Sequence, residues 1–364
     1  MSDGKKKNDP GKCGKGKLDP RAGSVGGQAV LEGVMMRAGN RVALSVRDTD
    51  GNIKTDVEEM TPPDKKHSIL RLPLIRGVVN FVTMMKLSIR IMNKSVEMLG
   101  LEEEEEPSKF EKWMDKHFGK SVTAVATAIG TVLGLALSIF LFMYIPTITS
   151  NAIFGAELEP GMRLLKSAFN GVFKIVIFLV YIALVGLIPD IKRTFQYHGA
   201  EHKSVFCHEA YLPLTVENVK KQSRFHPRCG TSFLVVMMII GIFVGFFFVN
   251  IENNLLQTAL RLLTLPVVVG LGYEFIRYAG RHDNLLVKIL SAPGLWIQRL
   301  TTKEPDEKQM EVAIRSLMAA LPDDYPEIRA ILTAQEKESE EDSQEKTENQ
   351  SNGNGDTTSD EENA

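Results

Sequence analysis

Residues 197–210 read YHGAEHKSVFCHEA and hold three of the chain's seven histidines, His198, His202 and His208; His226 follows in RFHPRCGTSF. On a helix, His198 and His202 stand about one turn apart on one face. Two imidazoles at that spacing can share a metal ion. The order is H-x-x-E-H, with Glu201 directly before the second histidine. That is the inverted zinc-hydrolase motif, in which two histidines hold the ion and the glutamate takes a proton from water that the ion has acidified. The expected cofactor is therefore a divalent metal, zinc first, with Glu201 as the catalytic base.

Two histidines do not complete a site, so a third ligand is needed. Glu209 shares the helical face but lies seven residues from His202, about 10 Å on a straight helix and too far for the same ion. His226 and Cys229, in HPRCG, and Glu274, in a later apolar segment, are the better choices. Competing readings exist for each. Glu274 could pair with Arg277 one turn away. Cys207 and Cys229 could join His202 or His226 in a closed structural zinc site, although their spacing matches no zinc-finger pattern. His208 and Glu209 could be a solvated helix end. Gly199, inside the motif, weakens a helix by about 1 kcal/mol relative to alanine.

The elements that must position these residues are apolar. Four segments are predicted as transmembrane helices, each near the ~20 residues that a bilayer core requires: residues 121–145, 171–189, 231–251 and 258–280. The second carries Lys174, close enough to its end to snorkel. The fourth carries Arg261, Glu274 and Arg277 with Pro266 as a kink, so a re-entrant path competes with a full crossing. The 190–230 loop has seven Lys/Arg and the 146–170 loop two. Positive residues stay inside, which places both termini and the histidine-rich loop in the cytoplasm.

Around these spans the sequence predicts smaller pieces. Residues 1–21 form a Lys/Gly-rich disordered tail, and residues 22–66 a cytoplasmic region with a β-hairpin at about 41–59, turned at DTDG. Residues 67–118 form interfacial helices, with EEEEE at 102–106 as a solvated turn. Residues 119–282 are the four-helix membrane domain, and residues 283–334 interfacial and cytosolic helices. Residues 335–364 are acidic and poor in apolar residues, a composition that does not fold. The formal net charge of −2 thus hides a basic body beside an acidic tail, which suits an anionic lipid surface. No alternation of basic and aromatic residues supports nucleic-acid binding. Three cysteines and no apolar run after the N-terminal lysines point to a reducing compartment without a cleaved signal; Cys13 reads as a free thiol. The fold class is an α-helical integral membrane protein.

Five blocks, VGGQAVLEGVMMR, PLIRGVVNF, YHGAEHKSVFCHE, HPRCGTSF and GYEFIRYAGRHDN, together resemble the YqhQ-like family of bacterial integral membrane proteins. The resemblance covers roughly residues 22–300. It implies a bacterial inner-membrane location and a metal-dependent enzyme, and it supplies no substrate. The glycines of the first block make no phosphate loop, since no GK[ST] follows. Glu32, Arg37 and Arg76 are placed to close over the site from the hairpin side.

Three functions follow from the residues. The first is a zinc-type hydrolase at the cytoplasmic membrane face, acting on a membrane peptide or a lipid-linked ester. The second is a non-catalytic scaffold or sensor with a structural metal or histidine cluster. The third is an ion transporter, which with four spans and no internal repeat would need an oligomer. The bilayer is the one partner common to all three.

Overall fold

The computed structural model describes residues 21, 23–60, 70, 72–100, 122–155, 159–251, 253–279, 282, 284–335 and 337. The expectations for residues 1–20, including Cys13, for the acidic run at 102–106 and for most of the acidic tail lie outside these residues.

The N-terminal part is a four-stranded antiparallel meander, not the single hairpin expected at 41–59. Its strands are β1 (Val25–Val30), β2 (Gly33–Ala38), β3 (Arg41–Arg47) and β4 (Ile53–Glu59), in that order across the sheet. The register pairs Val25 with Ala38, Gly33 with Val46 and Arg41 with Glu59. DTDG makes the last turn as expected. Gly51 takes φ +91 there, and Asp48 accepts from the Asn52 N–H. The first hairpin hides in VGGQAV because its glycines read as loop. Alternation assigns the faces: Val34, Met36 and Ala43 face one core, and Met35, Val42, Leu44 and Val46 the other.

Helix α1 (Ile75–Met98) covers the second face with Leu87 and Ile91, while its Val82, Met85 and Ile89 stay exposed. The first face is covered by two helices far apart in sequence. One is α5 (Pro189–Glu209), which contributes Tyr197, Ala200 and Val205; the other is α11 (Glu307–Ala320), which contributes Met310, Ala313 and Leu317. A capping box at Asp306 and Gln309 starts α11. The sequence suggests a separate cytosolic helix for α11; the structure makes it the centre of this core.

The apolar helices form the other part. α2 (Val122–Ile139) runs through a π turn (Phe140–Tyr144) into α3 (Ile145–Phe154). Pro146, which lacks an N–H, follows that wide turn. Then come α4 (Pro160–Val185), the short α6 (Val216–Lys220) after α5, α7 (Gly230–Phe246), α8 (Asn254–Leu263), α9 (Leu265–Ala279) and α10 (Leu285–Thr301). Three helical stretches among the described residues are long and apolar enough to cross a membrane: Ile129–Phe154, Gly161–Val185 and Leu256–Ala279. The segment whose full crossing competed with a re-entrant path, α8–α9, meets the length. The one expected at 231–251 is a shorter helix, α7, of 17 residues. The helix that holds Lys174 begins eleven residues earlier than expected, so Lys174 stands near its middle and not near an end.

Candidate metal centre

α5 leaves the end of α4 through Pro189 and carries the histidine motif for more than five turns. Gly199 is needed by packing: a Cβ there would strike the Lys303 carbonyl, where the chain crosses α5 between α10 and α11. The Lys303 N–H donates to Phe195 O at 2.8 Å in the same crossing. The glycine that costs helix propensity is thus the one that lets α11 and its linker close onto α5. His198 and His202 lie one turn apart as predicted, with ring centroids 4.4 Å apart.

Backbone carbonyls fix both imidazoles. His198 Nδ1–H donates to Thr301 O at 2.9 Å, and His202 Nδ1–H donates to Arg224 O at 2.5 Å. A carbonyl can only accept, so each ring donates from Nδ1 and turns its Nε2 inward. Metal-bound histidines are held this way. His198 Nε2 meets Cys229 Sγ at 3.2 Å. His202 Nε2 is buried and has no hydrogen-bond partner among the described residues. One ligand atom from each of His198, His202 and Cys229 lies within 4.8 Å of the others. Bond lengths of about 2.0–2.3 Å to zinc would draw such a set slightly closer. Cys229 reaches the group from the N-cap of α7, where its sulfur also accepts from the Thr231 N–H. The donor set and the orphaned nitrogen fit a divalent ion with three protein ligands.

Glu201 lies beneath this group, 5% exposed, with Oε2 3.5 Å from His202 Nε2. Burial pushes its carboxyl above the usual carboxylate range; His198, His226 and the Gly27 N–H pull the other way without offsetting it. The strand β1 passes so close that a Cβ at Gly27 would stand 2.7 Å from Glu201 Cγ. This is what the first glycine-rich block does: it lets the sheet edge rest on the glutamate.

The other expected ligands are elsewhere. His226 Nδ1 accepts from the Arg228 N–H at 3.3 Å, so its Nε2–H faces Glu209 Oε2 at 3.4 Å. Arg228 binds both Glu209 oxygens at 2.6 Å, and Gly23 N–H adds a third bond. His226 is therefore beside the metal group, with its ring centroid 5.6 Å from that of His202, and is committed to Glu209. Glu274 joins neither the group nor Arg277; Arg76 holds it by two bonds of 2.6 and 2.5 Å. His208 is no solvated helix end, being 1% exposed with Nδ1 at 2.8 Å from the Tyr325 hydroxyl. Cys207 is buried apart from Cys229 and bonds to Pro213 O.

Of the three residues expected to close over the site, one reaches the helix that carries it, α5. Glu32, at φ 48 in the β1–β2 turn, binds Arg193 through both oxygens and the Tyr197 hydroxyl at 3.1 Å. Arg37 turns to Gly39 O and Met84 Sδ, and Arg76 to Glu274. Sequence reasoning misses Gln298, which is fully buried. It accepts from His226 N–H at 2.8 Å and donates to His226 O at 2.7 Å, bracing the HPRCG loop. It also misses the carbonyls of Thr301 and Arg224, for which no side-chain signal exists.

No solved structure matches this chain. The Uncharacterized protein YqhQ of Bacillus subtilis (strain 168) is 37% identical over 297 residues, which cover 80% of this chain and 91% of that protein. The profile of a family described as a protein of unknown function (DUF1385) matches residues 72–323, which include α5, Cys229 and α10. The chain belongs to this YqhQ-like family, DUF1385.

Proposed function

We propose that this protein is an integral membrane, metal-dependent hydrolase with its centre at the cytoplasmic face of a bacterial inner membrane. The observation that carries the reading is the inward-facing nitrogen pair. His198 and His202 are oriented by carbonyls, and His202 Nε2 is buried without a hydrogen bond beside Cys229 and Glu201. A bound divalent ion, zinc first, would act as a Lewis acid and lower the pKa of water at the coordination position that the three side chains leave open. The Cys229 thiol would lose its proton on binding. Glu201 would accept a proton at Oε2, and its raised carboxyl range suits a group that takes a proton and holds it. The Gly27 N–H and Arg224 O keep the base and the His202 ring in place.

The membrane reading rests on the three long apolar stretches and on their bare faces, with Leu133 65% and Leu263 74% exposed. α7 would make the fourth span, and the cationic 190–230 segment supports a metal group on the inner side of the membrane. A lipid-linked ester or a membrane peptide would then reach the centre from the bilayer.

One observation favours a non-catalytic cluster: His202 and Glu201 are only 2% and 5% exposed. Glu201→Gln separates the two readings. As a hydrolase, the variant keeps its metal, measured by elemental analysis, and loses 10²-fold or more of its activity in complementation and in ester and peptide screens. Loss of the metal would make Glu201 a ligand. Unchanged activity would leave the cluster structural or sensory.

A further inference from the structure

The two edges of the sheet are finished differently. β4, at one edge, carries Lys54, Asp56, Glu58 and Glu59, and α1 reaches it through the pairs Arg90–Glu58 and Lys94–Asp56, each 2.6 Å. Charges of this kind keep an edge strand from pairing with another chain. β1, at the other edge, reads VGGQAV, with no charge and no proline. Its pairing with β2 is regular over all six residues, without a bulge. An uncharged, regular edge is a template for one more strand.

The register shows which groups that edge offers. The turn at Leu31 and Glu32 makes Val30–Gly33 the closing hydrogen-bonded pair, so Gln28 and Gly26 also exchange bonds with β2. Val25, Gly27 and Ala29 therefore turn their N–H and C=O groups outward. The Gly27 N–H is taken by Glu201. Among the described residues, the Gly27 carbonyl and the Ala29 N–H make no hydrogen bond. Gly26 and Gly27 are exposed, and a Cβ at Gly26 would meet nothing within 4 Å. The edge stands beside the metal group. A Cβ at Gly27 would lie 2.9 Å from Glu201 Oε1, and Glu201 Oε2 is 3.5 Å from His202 Nε2. Just before β1, the Gly23 N–H donates to Glu209 Oε1 at 2.9 Å and pins the strand to the end of α5.

We propose that the outer edge of β1 binds the substrate as an extended peptide, added as a fifth strand beside Glu201 and the His198–His202–Cys229 group. The peptide's backbone donates to Gly27 O and accepts from the Ala29 N–H, which recognises main chain and not a particular side chain. A lipid-linked ester has no row of amides to make these bonds. The inference deepens the hydrolase reading and rests on it for the reaction; the binding stands without it. In that reaction the water oxygen joins the peptide carbonyl carbon, and the C–N bond breaks. Glu201 takes a proton from the water and returns it to the leaving nitrogen, so that a carboxylic acid and an amine are released.

The experiment measures the fluorescence anisotropy of a short labelled peptide of alternating threonine and valine. It is added to the full-length, detergent-purified protein loaded with zinc, and the zinc content of each protein is read alongside. The wild type is expected to bind the peptide, and to bind the same peptide with N-methylated amides about tenfold more weakly or worse. Ala29→Pro removes the outward N–H and spares the bonds to β2, at a position where an edge strand tolerates proline. It is expected to weaken binding by about tenfold or more. No binding by the wild type, or equal binding by Ala29→Pro, overturns the proposal. If Ala29→Pro does not fold or loses its zinc, the N-methylated peptide decides, and equal affinity of the wild type for both peptides overturns it. Failure of the hydrolase reading looks different. Tight binding of the peptide by a protein that holds no zinc, or no effect of Glu201→Gln on activity, would end that reading and leave β1 a docking strand for peptides.

Discussion

The sheet–helix unit and the apolar bundle treat their polar side chains in opposite ways. Around α5, buried charges are answered from within the chain. Lys203, 5% exposed at its side chain, donates to Lys220 O and pairs with Glu304; Glu209 is held by Arg228, His226 and Gly23. In the bundle, Asn170 Oδ1 and Arg261 Nε are buried with no hydrogen-bond partner among the described residues, while leucines and phenylalanines stand bare. An orphaned polar atom means something only against that background. Where partners are plentiful, the unbonded His202 Nε2 stands out, and it carries the proposal of a metal ligand.

The comparison can be broken most severely at the crossing that closes the unit. Gly199→Ala places a methyl against the Lys303 carbonyl, which cannot yield without moving α11 from α5. The expected loss is about 3 kcal/mol or more, read from denaturant or thermal unfolding. A loss below 1 kcal/mol would show that α11 is not clamped there.

Next is the answered charge. Glu209→Gln leaves Arg228 and His226 without their carboxylate and is expected to cost roughly 2–3 kcal/mol. Burial pushes the Glu209 carboxyl up, but the bonds from His226 and Gly23 and the charges of His226 and Arg228 outweigh it and hold it at about 2. The folded value is lower than the ordinary 4.5. Its stabilisation is therefore complete above that ordinary value and is lost as the pH falls toward 2. Melting curves between pH 5 and 3 should drop more steeply for the wild type than for Glu209→Gln. Parallel curves would contradict the assignment.

A smaller effect is expected where the two regions meet. Arg76→Met removes the clamp on Glu274 between α1 and α9, which is about a quarter exposed. The cost should be about 1–2 kcal/mol, and Glu274→Gln in the same protein should add little, since the two act as one pair. The smallest change is at the surface. Glu217→Ala, which removes a fully exposed pair with Lys221, should leave the melting temperature unaltered.

The sequence makes some of this plain and conceals the rest for physical reasons. The spacing of His198 and His202 and the order of Glu201 are local, so the helix and the ligand pair are legible. Cys229 is one of several choices, because selecting it depends on where α7 starts relative to α5. Glu274 misleads because its partner, Arg76, is 198 positions away, and no helical spacing reveals it. Gly27 and Gly199 read as loop or as helix weakness; both are places where another backbone or side chain needs the room. α11 shows an apolar face in the sequence, but not that the sheet is what fills it.

The measurement nearest to the central claim is metal content by elemental analysis of detergent-purified protein, wild type beside His198→Ala/His202→Ala. The account predicts about one divalent ion per chain in the wild type and a loss of nearly all of it in the variant. No ion in the wild type after reloading with zinc, iron or manganese, or equal content in both proteins, would contradict it.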